Sequence, residues 1–406
     1  MKQGWKKYKL HLLVNRLTNG YVGQTKNIYQ DTGIPYLLAR HVKNNVLTFD
    51  GRTFVSDEFN LKNKKSILKE GDVLLVQSGH IGHSAVVPKE HEGHNCHSMI
   101  VMTPKKNFLT GDFLSLYFFS PFMQQMFESL KTGSTIKHLN CKVVREINIA
   151  LPSLAEQQRI VTIIGKAFTA ITKAKANAEQ NLKNAKELFE SYLQGVFENG
   201  NWERKKIEDL TELVTKGSSP KWQGINYVDK PGTLFVTSEN VGEGKLLMKK
   251  RKYLEEKFND IQQKSILRTG DVLTNIVGAS IGRTAIYELD ELANINQAVC
   301  IMRCKDIELY NYYLMYLLNS PFFKAVLHDN EIDNARANLS LTFFKNLEIP
   351  LPLITEQRII VDKIKGFSDK ANRLEAIYQQ KIKDLEELKK SVLQKAFNGE
   401  LKLSGL

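Results

Sequence analysis

The feature that most constrains this chain is an internal repeat whose two copies lie 200 positions apart. The segment LPSLAEQQRIV begins at Leu151, and the related segment LPLITEQRIIV begins at Leu351. A second pair consists of SILKEGDVLLVQSGHIG from Ser66 and SILRTGDVLTNIVGASIG from Ser265. Solenoid proteins repeat every 20–50 residues or about that, so a period this long predicts the duplication of whole domains.

Each copy begins with a globular part in which short apolar runs alternate with turns. The runs GDVLLV at Gly71–Val76 and SMIVM at Ser98–Met102 are typical of buried strands. The segment SPF predicts the start of a helix in each copy, because the prolines Pro121 and Pro321 suit a first helical turn. This mixture predicts an α/β (α+β) fold for both globular parts.

Each copy ends in a long amphipathic segment whose apolar residues recur with the alternating spacing of a coiled-coil seam. A helix of this length needs a partner for its apolar stripe. We therefore expect two long antiparallel coiled-coil helices and a pseudo-two-fold relation between the copies. The predicted seam consists of Ile160, Ile164, Ala167, Ile171, Ala174, Ala178, Leu182, Ala185, Leu188, Tyr192 and Val196 in the first helix, and of Ile360, Ile364, Phe367, Ala371, Leu374, Tyr378, Ile382, Leu385, Leu388, Val392 and Ala396 in the second.

The predicted ends of the helices follow from capping residues. The sequence SLAE from Ser153 can form a capping box, and Thr355 is the expected cap of the second helix, where that serine is missing. Asn-Gly pairs at Asn199 and Asn398 are the expected stop signals. The resulting division is a first globular domain over 1–152, a long helix over 153–200, a second globular domain over 201–352 and a second long helix over 353–406.

Composition gives a hint about partners and location. The 406 residues carry 57 Lys and Arg against 44 Asp and Glu, a formal net charge of +13, and such a basic excess favours a polyanionic partner. No apolar run reaches the roughly 18 residues of a membrane span, and the N-terminus lacks the apolar stretch of a signal peptide, so we expect a cytoplasmic protein. The four cysteines share no paired spacing between the copies, which favours free thiols.

Catalytic and metal-binding motifs are mostly missing from the sequence. It contains neither a Gly-x-x-x-x-Gly-Lys-Ser/Thr phosphate loop nor an Asn/Asp-Pro-Pro-aromatic motif. His91, His94, Cys96 and His97 lie close together, but their spacing fits no zinc pattern. Because the second copy has asparagine and glutamine in the corresponding stretch, we predict no metal site.

Taken together, these segments and the loop TGSTIKHLN at Thr132–Asn140 resemble the specificity (S) subunits of type I restriction–modification enzymes. The resemblance covers essentially the whole chain. It implies that each globular part is a target recognition domain that reads half of a split double-stranded DNA sequence. The helices would set the gap and dock two methyltransferase (M) subunits. The second copy of the loop, DNARANLS at Asp333–Ser340, departs from the family pattern because it lacks the Gly-Ser pair.

The resemblance also implies a division of labour between subunits. Endonuclease/translocase (R) subunits would join the complex. S-adenosylmethionine, ATP and Mg²⁺ would act in the partner subunits, with no cofactor in this chain. We therefore predict a non-catalytic subunit that reads DNA sequence.

Residues that contact phosphates or base edges are expected in aligned loops, mostly where the copies differ. An ordinary solvated role is the alternative for each of them, and the run KKRK at Lys249–Lys252 is interpreted as a solvated face, with phosphate contact as its alternative. The candidates are Arg40, His41, Lys43, Asn44, Ser78, His80, Ser134, Thr135, Lys137 and His138 in the first domain, and Lys221, Trp222, Ser238, Glu239, Asn240, Asn275, Ser280, Asn334, Arg336 and Asn338 in the second.

Two other functions compete with DNA reading. A non-catalytic structural adaptor would display two protein-binding domains on a coiled-coil spacer, and it would enrich no DNA motif. A stand-alone nuclease would cut DNA with Mg²⁺ alone, which the missing motifs argue against.

Overall fold

The computed structural model describes residues 4–43, 45–131, 138–230, 232–331 and 337–400. The chain divides into two compact units. The first unit is Met1–Ala178 with Gln380–Leu406, and the second unit is Glu179–Gln379. Each unit therefore combines one globular domain with about half of each long helix, so that the units cut across the sequential division predicted above.

The globular domain of the first unit mixes short strands and helices. Its strands are β1 (Lys6–Lys9), β2 (Val14–Asn19), β3 (Ile34–Leu37), β4 (Val42–Lys43), β5 (Val46–Leu47), β6 (Phe54–Val55), β7 (Val73–Val76), β8 (Ser84–Val86), β9 (Asn95–Cys96), β10 (Met99–Pro104) and β11 (Asn148–Leu151). Its helices are α1 (Asp57–Lys62), α2 (Gly111–Phe119), α3 (Pro121–Leu130) and α4 (Cys141–Arg145), and the long helix α5 (Leu154–Glu198) follows.

The globular domain of the second unit repeats most of this order. Its strands are β12 (Arg204–Lys206), β13 (Thr211–Lys216), β14 (Tyr227–Val228), β15 (Thr233–Val236), β16 (Tyr253–Leu254), β17 (Val272–Asn275), β18 (Thr284–Ile286), β19 (Ala293–Ile295), β20 (Val299–Cys304) and β21 (Glu348–Pro350). Its helices are α6 (Ile207–Leu210), α7 (Lys257–Ile261), α8 (Asn311–Asn319), α9 (Pro321–Asp329) and α10 (Leu341–Asn346), and the long helix α11 (Ile354–Asn398) follows. Compared with the first unit, α6 and β14 are added, and among the described residues β4 and β5 have no counterpart strands.

The described strands form matching sheets in the two units. An antiparallel sheet in the order β2-β10-β7-β8 recurs as β13-β20-β17-β18, and the pair β1-β11 recurs as β12-β21. A smaller sheet contains the parallel pair β3 and β9, which recurs as β15 and β19. The predicted α/β (α+β) class and the duplication of the fold are confirmed.

A buried carboxylate anchors the GDV segment of the first unit. Asp72 is fully buried and forms an ion pair with Arg16 on β2. The hydroxyl of Thr103 on β10 donates to the same carboxylate at 2.5 Å. Arg16 and Thr103 face each other across the β2-β10 ladder. One pair of facing residues therefore supplies both the cation that neutralises Asp72 and a hydrogen bond to it.

The second unit places the arginine on the other strand of the equivalent pair. Asp271 is 2% exposed, and Arg303 on β20 donates to both of its oxygens at 2.7 Å. Across the ladder from Arg303 lies Leu213 on β13. Arg303 thus occupies the position of Thr103, and Leu213 occupies the position of Arg16.

The repeated glutamines Gln157 and Gln357, which we call the junction glutamines, explain why the LP…EQ segment occurs twice. Both are fully buried at the start of a long helix. The Gln157 amide donates to the carbonyls of Phe108 (2.8 Å) and Pro152 (3.1 Å), and it accepts from the backbone N–H of Thr110 at 3.0 Å.

The second junction glutamine makes the same set of bonds. Gln357 donates to the carbonyls of Glu308 and Pro352 at 2.9 Å each, and it accepts from the N–H of Tyr310 at 2.8 Å. The Thr110 hydroxyl also donates to the Gln157 amide oxygen, at 3.5 Å. Because the partners that both glutamines share are backbone groups, each glutamine ties the first turn of its helix to the globular domain.

The two long helices pack against each other within each unit. In the first unit Lys175 forms an ion pair with Glu386 at 2.6 Å, and Lys389 lies 4.6 Å from the ring centre of Phe168. In the second unit the ring of Tyr192 stacks on that of Phe367 at 4.4 Å. Residue numbers rise along α5 as they fall along α11, so the predicted antiparallel pairing is confirmed.

Most of the predicted seam is buried or half-buried, but part of it is wrong. Leu188, Leu374 and Leu388 are 55%, 39% and 49% exposed. A further set of buried helix residues lies off the predicted line, because the globular domains cover another face of each helix: Leu193, Phe197, Val361, Leu393 and Phe397. The ring of Phe397, for example, lies 5.5 Å from that of Phe113.

The helix ends agree with the predicted signals except at Thr355. The N–H of Glu156 donates to the Ser153 hydroxyl at 3.4 Å, so Ser153 caps α5. Thr355 is wrong as a cap, because α11 begins at Ile354 and Thr355 is its second residue. Gly399 has φ +78°, a left-handed conformation that terminates α11 and favours glycine.

Two further expectations concern the thiols and the membrane. Cys96, Cys141, Cys300 and Cys304 are free cysteines, and Cys141 is the half-buried one. Within the described ranges, none of the helices combines the length and the apolar character that a membrane span requires.

Candidate nucleic-acid interface

Three loops meet beside the main sheet of each globular domain. In the first unit, residue Ser78, just after β7, forms a bridge with His138. In the second unit, Val277, just after β17, forms the equivalent bridge with Asn338. The structure therefore brings together segments that sequence analysis selected separately.

The third loop joins through side chains. In the second unit the Asn275 amide donates to the carbonyl of Ser238 at 3.0 Å and to the hydroxyl of Ser280 at 3.2 Å. In the first unit the His83 side chain hydrogen-bonds to the backbone of Val42, and its ring stacks on that of His80 at 5.4 Å. We call residues 38–43, 77–83 and 138–140 the first loop cluster, and residues 237–247, 275–283 and 337–340 the second loop cluster.

Many of the predicted contact residues are accessible. The exposed ones are Arg40, Lys43, His80, His138, Lys221, Trp222 and Glu239, and the half-buried ones are Ser78, Ser238, Ser280 and Asn338. Trp222 is 79% exposed, which is unusual for so large an apolar ring. Their roles in DNA contact remain predictions.

Three predicted contact residues support the loops from inside instead of presenting side chains at the surface. His41, Asn240 and Asn275 are 2%, 5% and 0% exposed. Asn240 donates to the carbonyls of Leu247 (3.1 Å) and Lys250 (3.2 Å). Such bonds hold the shape of the loop.

Six other predicted residues lie outside the described part of the chain. They are Asn44, Ser134, Thr135, Lys137, Asn334 and Arg336. Their predicted contacts with DNA stay predictions.

The basic run at Lys249–Lys252 lies beside the second loop cluster, a position that the sequence pattern did not predict. The carbonyl of Lys250 accepts from Asn240, and the ammonium of Lys252 lies 3.6 Å from the Glu239 carboxylate. Lys249 and Lys250 are exposed. The basic residues are evident in the sequence, but their link to Asn240 is not, because ten residues separate Asn240 from Lys250.

Histidines give the first unit a distinct electrostatic character. Burial lowers the pKa of His41, and the nearby Asp50 partly offsets this shift. The Nδ1 atom of His41 accepts from the N–H of Leu38 at 3.0 Å, which requires that nitrogen to be unprotonated. The hydrogen bond from Arg40 lowers the pKa of Asp50 to about 2.

Burial also lowers the pKa of His83, His94 and His97. The Nδ1 atoms of His91 and His94 lie 3.2 Å apart. Among the residues with described positions, no group of three or more His, Cys, Asp or Glu side chains is arranged to hold a metal ion.

The chain matches the family model described as the type I restriction modification DNA specificity domain twice, over residues 2–182 and 199–385. It is 24% identical over 385 residues to the type I restriction enzyme MjaVIII specificity subunit of Methanocaldococcus jannaschii, covering 92% of this chain and 87% of that protein. It is 23% identical to the EcoKI specificity subunit of Escherichia coli K12, covering 93% and 84%.

Solved structures agree on the fold. A chain from a structure of a type I restriction–modification system aligns with a TM-score of 0.77 at 19% identity, covering 99% of both chains. The HsdS subunit from Thermoanaerobacter tengcongensis aligns with a TM-score of 0.65 at 19% identity, covering 99% and 98%.

The fold is thus that of a duplicated DNA specificity domain with paired long helices. This chain belongs to the type I restriction–modification DNA specificity family. It is accordingly a specificity subunit, which is a non-catalytic component whose catalytic partners are separate chains.

Proposed function

We propose that this chain reads a bipartite duplex DNA target, with one globular domain on each half-site. The observation that carries the proposal is the pair of loop clusters, which occupy equivalent positions on a shared framework but carry different side chains. Bridges at Ser78–His138 and Val277–Asn338 are retained, while the residues that form them differ. A common framework with divergent loops suits two readers of different sequences.

Charge supports the same proposal. The formal net charge of +13 favours binding to the DNA backbone. Lys43 in the first loop cluster and the basic run at Lys249–Lys252 beside the second supply exposed cations, and Lys221 is a further exposed cation of the second domain. These cations would contact phosphates, while the serine, asparagine and histidine side chains would read base edges.

We further propose that the long helices dock two methyltransferase (M) subunits and set the gap between the half-sites. Leu188 and Leu388 are 55% and 49% exposed, although they continue an apolar stripe. They occupy equivalent positions of α5 and α11, one in each unit. Two equivalent apolar contacts suit two copies of one partner.

The remaining components follow from that assembly. Endonuclease/translocase (R) subunits would join through the methyltransferases. S-adenosylmethionine, ATP and Mg²⁺ would be bound by the partner chains, and this chain would bind none of them.

The test is a selection from random duplex DNA by the full chain together with its methyltransferase partner. We expect enrichment of two short motifs separated by a fixed gap, and a complex whose measured mass includes two methyltransferase chains. Affinity for the selected DNA should fall steeply as salt rises, because phosphate contacts release counterions. A structural adaptor would enrich no motif, and a gap that varied freely would contradict the proposed role of the helices.

A further inference from the structure

A cleft of about 350 Å³, lined mostly by residues with polar side chains, opens beside the Ser78–His138 bridge of the first loop cluster. Asn19, at the end of β2, and Gln77, just after β7, are among its lining residues. Ser78 and Ser98 also line it and are half-buried. Ser78 is among the residues that the sequence predicts to contact DNA, whereas Asn19 and Gln77 are not.

Gln77, one of the lining residues, carries a buried acceptor that has no donor. The residue is 7% exposed, and its Nε2 donates to the carbonyl of Leu139 at 3.1 Å. That bond fixes the orientation of the amide, so the other terminal atom must be the oxygen. Within the described ranges, Oε1 of Gln77 and Oδ1 of Asn19 are both buried atoms without a hydrogen-bond donor, an arrangement that costs free energy unless a donor enters.

The second unit shows that the framework does not require these polar groups. The N–H of Leu139 donates to the carbonyl of Gln77 at 2.9 Å, and the N–H of Leu339 donates to the carbonyl of Ile276 at 2.9 Å. Ile276 therefore occupies the place of Gln77, and Val277 occupies the place of Ser78. The backbone bond is retained while the side chains change from polar to apolar.

The chemistry of the cleft selects a ligand that donates hydrogen bonds. Phosphate oxygens only accept, so a DNA backbone cannot satisfy Gln77 Oε1. The exocyclic amino groups of adenine and cytosine do donate, and they line the major groove. Glutamine and asparagine are also the side chains that suit adenine in direct readout.

We propose that Gln77, supported by Asn19, is a specificity-determining residue of the first globular domain and reads the amino group that adenine or cytosine presents in the major groove. The inference rests on the proposed function, because it assigns a base-reading role within one half-site. The second domain, with Ile276 in this place, would have no such requirement at the corresponding position.

The test compares the wild-type chain with Gln77→Ile, which copies the second domain, in complex with the methyltransferase partner. In the random-DNA selection, we expect Gln77→Ile to lose about tenfold discrimination at one base pair of one half-site, the size typical of a lost base contact. The other half-site should stay unchanged. Gln125→Ile, on the exposed face of α3, is the matched control and should change neither half-site.

A base analogue sharpens the test. Replacing the selected base by an analogue without the amino group, such as purine for adenine, should weaken the wild type about tenfold and leave Gln77→Ile unaffected. Gln77→Met keeps the length of the side chain but removes its acceptor. It replaces Gln77→Ile in the test if the isoleucine variant fails to fold.

The outcomes separate this inference from the proposed function. If folded Gln77→Ile or Gln77→Met retains every base preference of the wild type, the cleft holds an internal water only and the inference is overturned. If the wild type itself enriches no half-site, the proposed function fails instead.

Discussion

Each globular domain has a buried carboxylate at the equivalent position, and an arginine neutralises it. The arginine lies on one strand of a facing pair in the first domain and on the other strand in the second. These arginines are Arg16 on β2 in the first unit and Arg303 on β20 in the second. The facing residues are Thr103 and Leu213, respectively. The comparison teaches that the fold requires a cation at this point in space, not at a given position in the chain.

A second contrast concerns the loops and their charges. Eight of the nine histidines lie in the first globular domain, from His11 to His138. The second domain has the basic run at Lys249–Lys252 where the first has Asp50–Thr53. The two domains therefore share a framework of sheets and helices but differ in the side chains and charges of their loops, which is the pattern expected of two readers with different targets.

The largest expected effect comes from removing the arginine of the second unit. Arg303→Thr should destabilise the second unit by about 3–5 kcal/mol, because it leaves the Asp271 charge buried and unpaired. Adding Leu213→Arg should restore most of this loss by rebuilding the arrangement of the first unit. Denaturant unfolding and hydrogen exchange of β17 in the full chain would measure both.

The matched control for that prediction is Arg268→Thr. Arg268 is exposed and lies close to the same carboxylate through its backbone N–H, which the substitution keeps. It should change stability by less than about 0.5 kcal/mol. If Leu213→Arg restored none of the stability that Arg303→Thr loses, the two positions for the arginine would not be interchangeable.

The next effect tests a feature that the units share. Gln157→Ala and Gln357→Ala should each destabilise their own unit by about 2–4 kcal/mol, since each removes three hydrogen bonds to backbone groups and leaves those buried groups unpaired. The two losses should be equal within error, as read from hydrogen exchange of β1 and β12. Gln158→Ala, at an exposed neighbouring position, is the control, and a marked inequality between the two losses would show that the junctions are not equivalent.

The smallest effect is a difference in acid sensitivity. Burial lowers the pKa of His41, His83, His94 and His97 in the folded first unit, so the unfolded chain binds more protons as pH falls through about 6.5. The stability from keeping these rings neutral is complete above that pH and is lost progressively below it. Hydrogen exchange at pH 7.5 and 5.5 should show a loss of protection in the first unit only.

A variant can remove part of this sensitivity by copying the second unit. The N–H of Leu68 donates to the carbonyl of His94, and the N–H of Leu267 donates to that of Ala293, so Ala293 occupies the place of His94. His94→Ala should reduce the difference in hydrogen-exchange protection of the first unit between the two pH values. Equal acid sensitivity in both units would contradict the assignment to these histidines.

Much of the framework could be predicted because the sequence contains two copies of the same domain. The strands at Gly71–Val76 and Ser98–Met102, and the helix starts at Pro121 and Pro321, follow local patterns that the structure confirms. The antiparallel helix pairing followed from two matching stripes. Duplication acts as an internal comparison and separates what the fold needs from what varies.

The sequence patterns failed where burial depends on a distant neighbour. Leu188 and Leu388 continue the seam but are exposed, whereas Phe397 lies off the seam and is buried against Phe113. The exchange of Arg16 for Arg303 could not be predicted either, because it depends on the register between strands. Asn240 and Asn275 were selected as surface readers for their residue type, but their amides bond to backbone carbonyls inside the loops.

The junction glutamines have a consequence for how such a protein can change. Apart from the 3.5 Å contact of Gln157 with the Thr110 hydroxyl, Gln157 and Gln357 form these hydrogen bonds with main-chain atoms of the neighbouring globular domain. Main-chain atoms are present whatever the side chains are, so an unrelated set of loops could be grafted between two such junctions without redesigning the joint. The joint does not depend on the loop sequences of the attached domain. Either domain could therefore change its DNA target without a change at the joint.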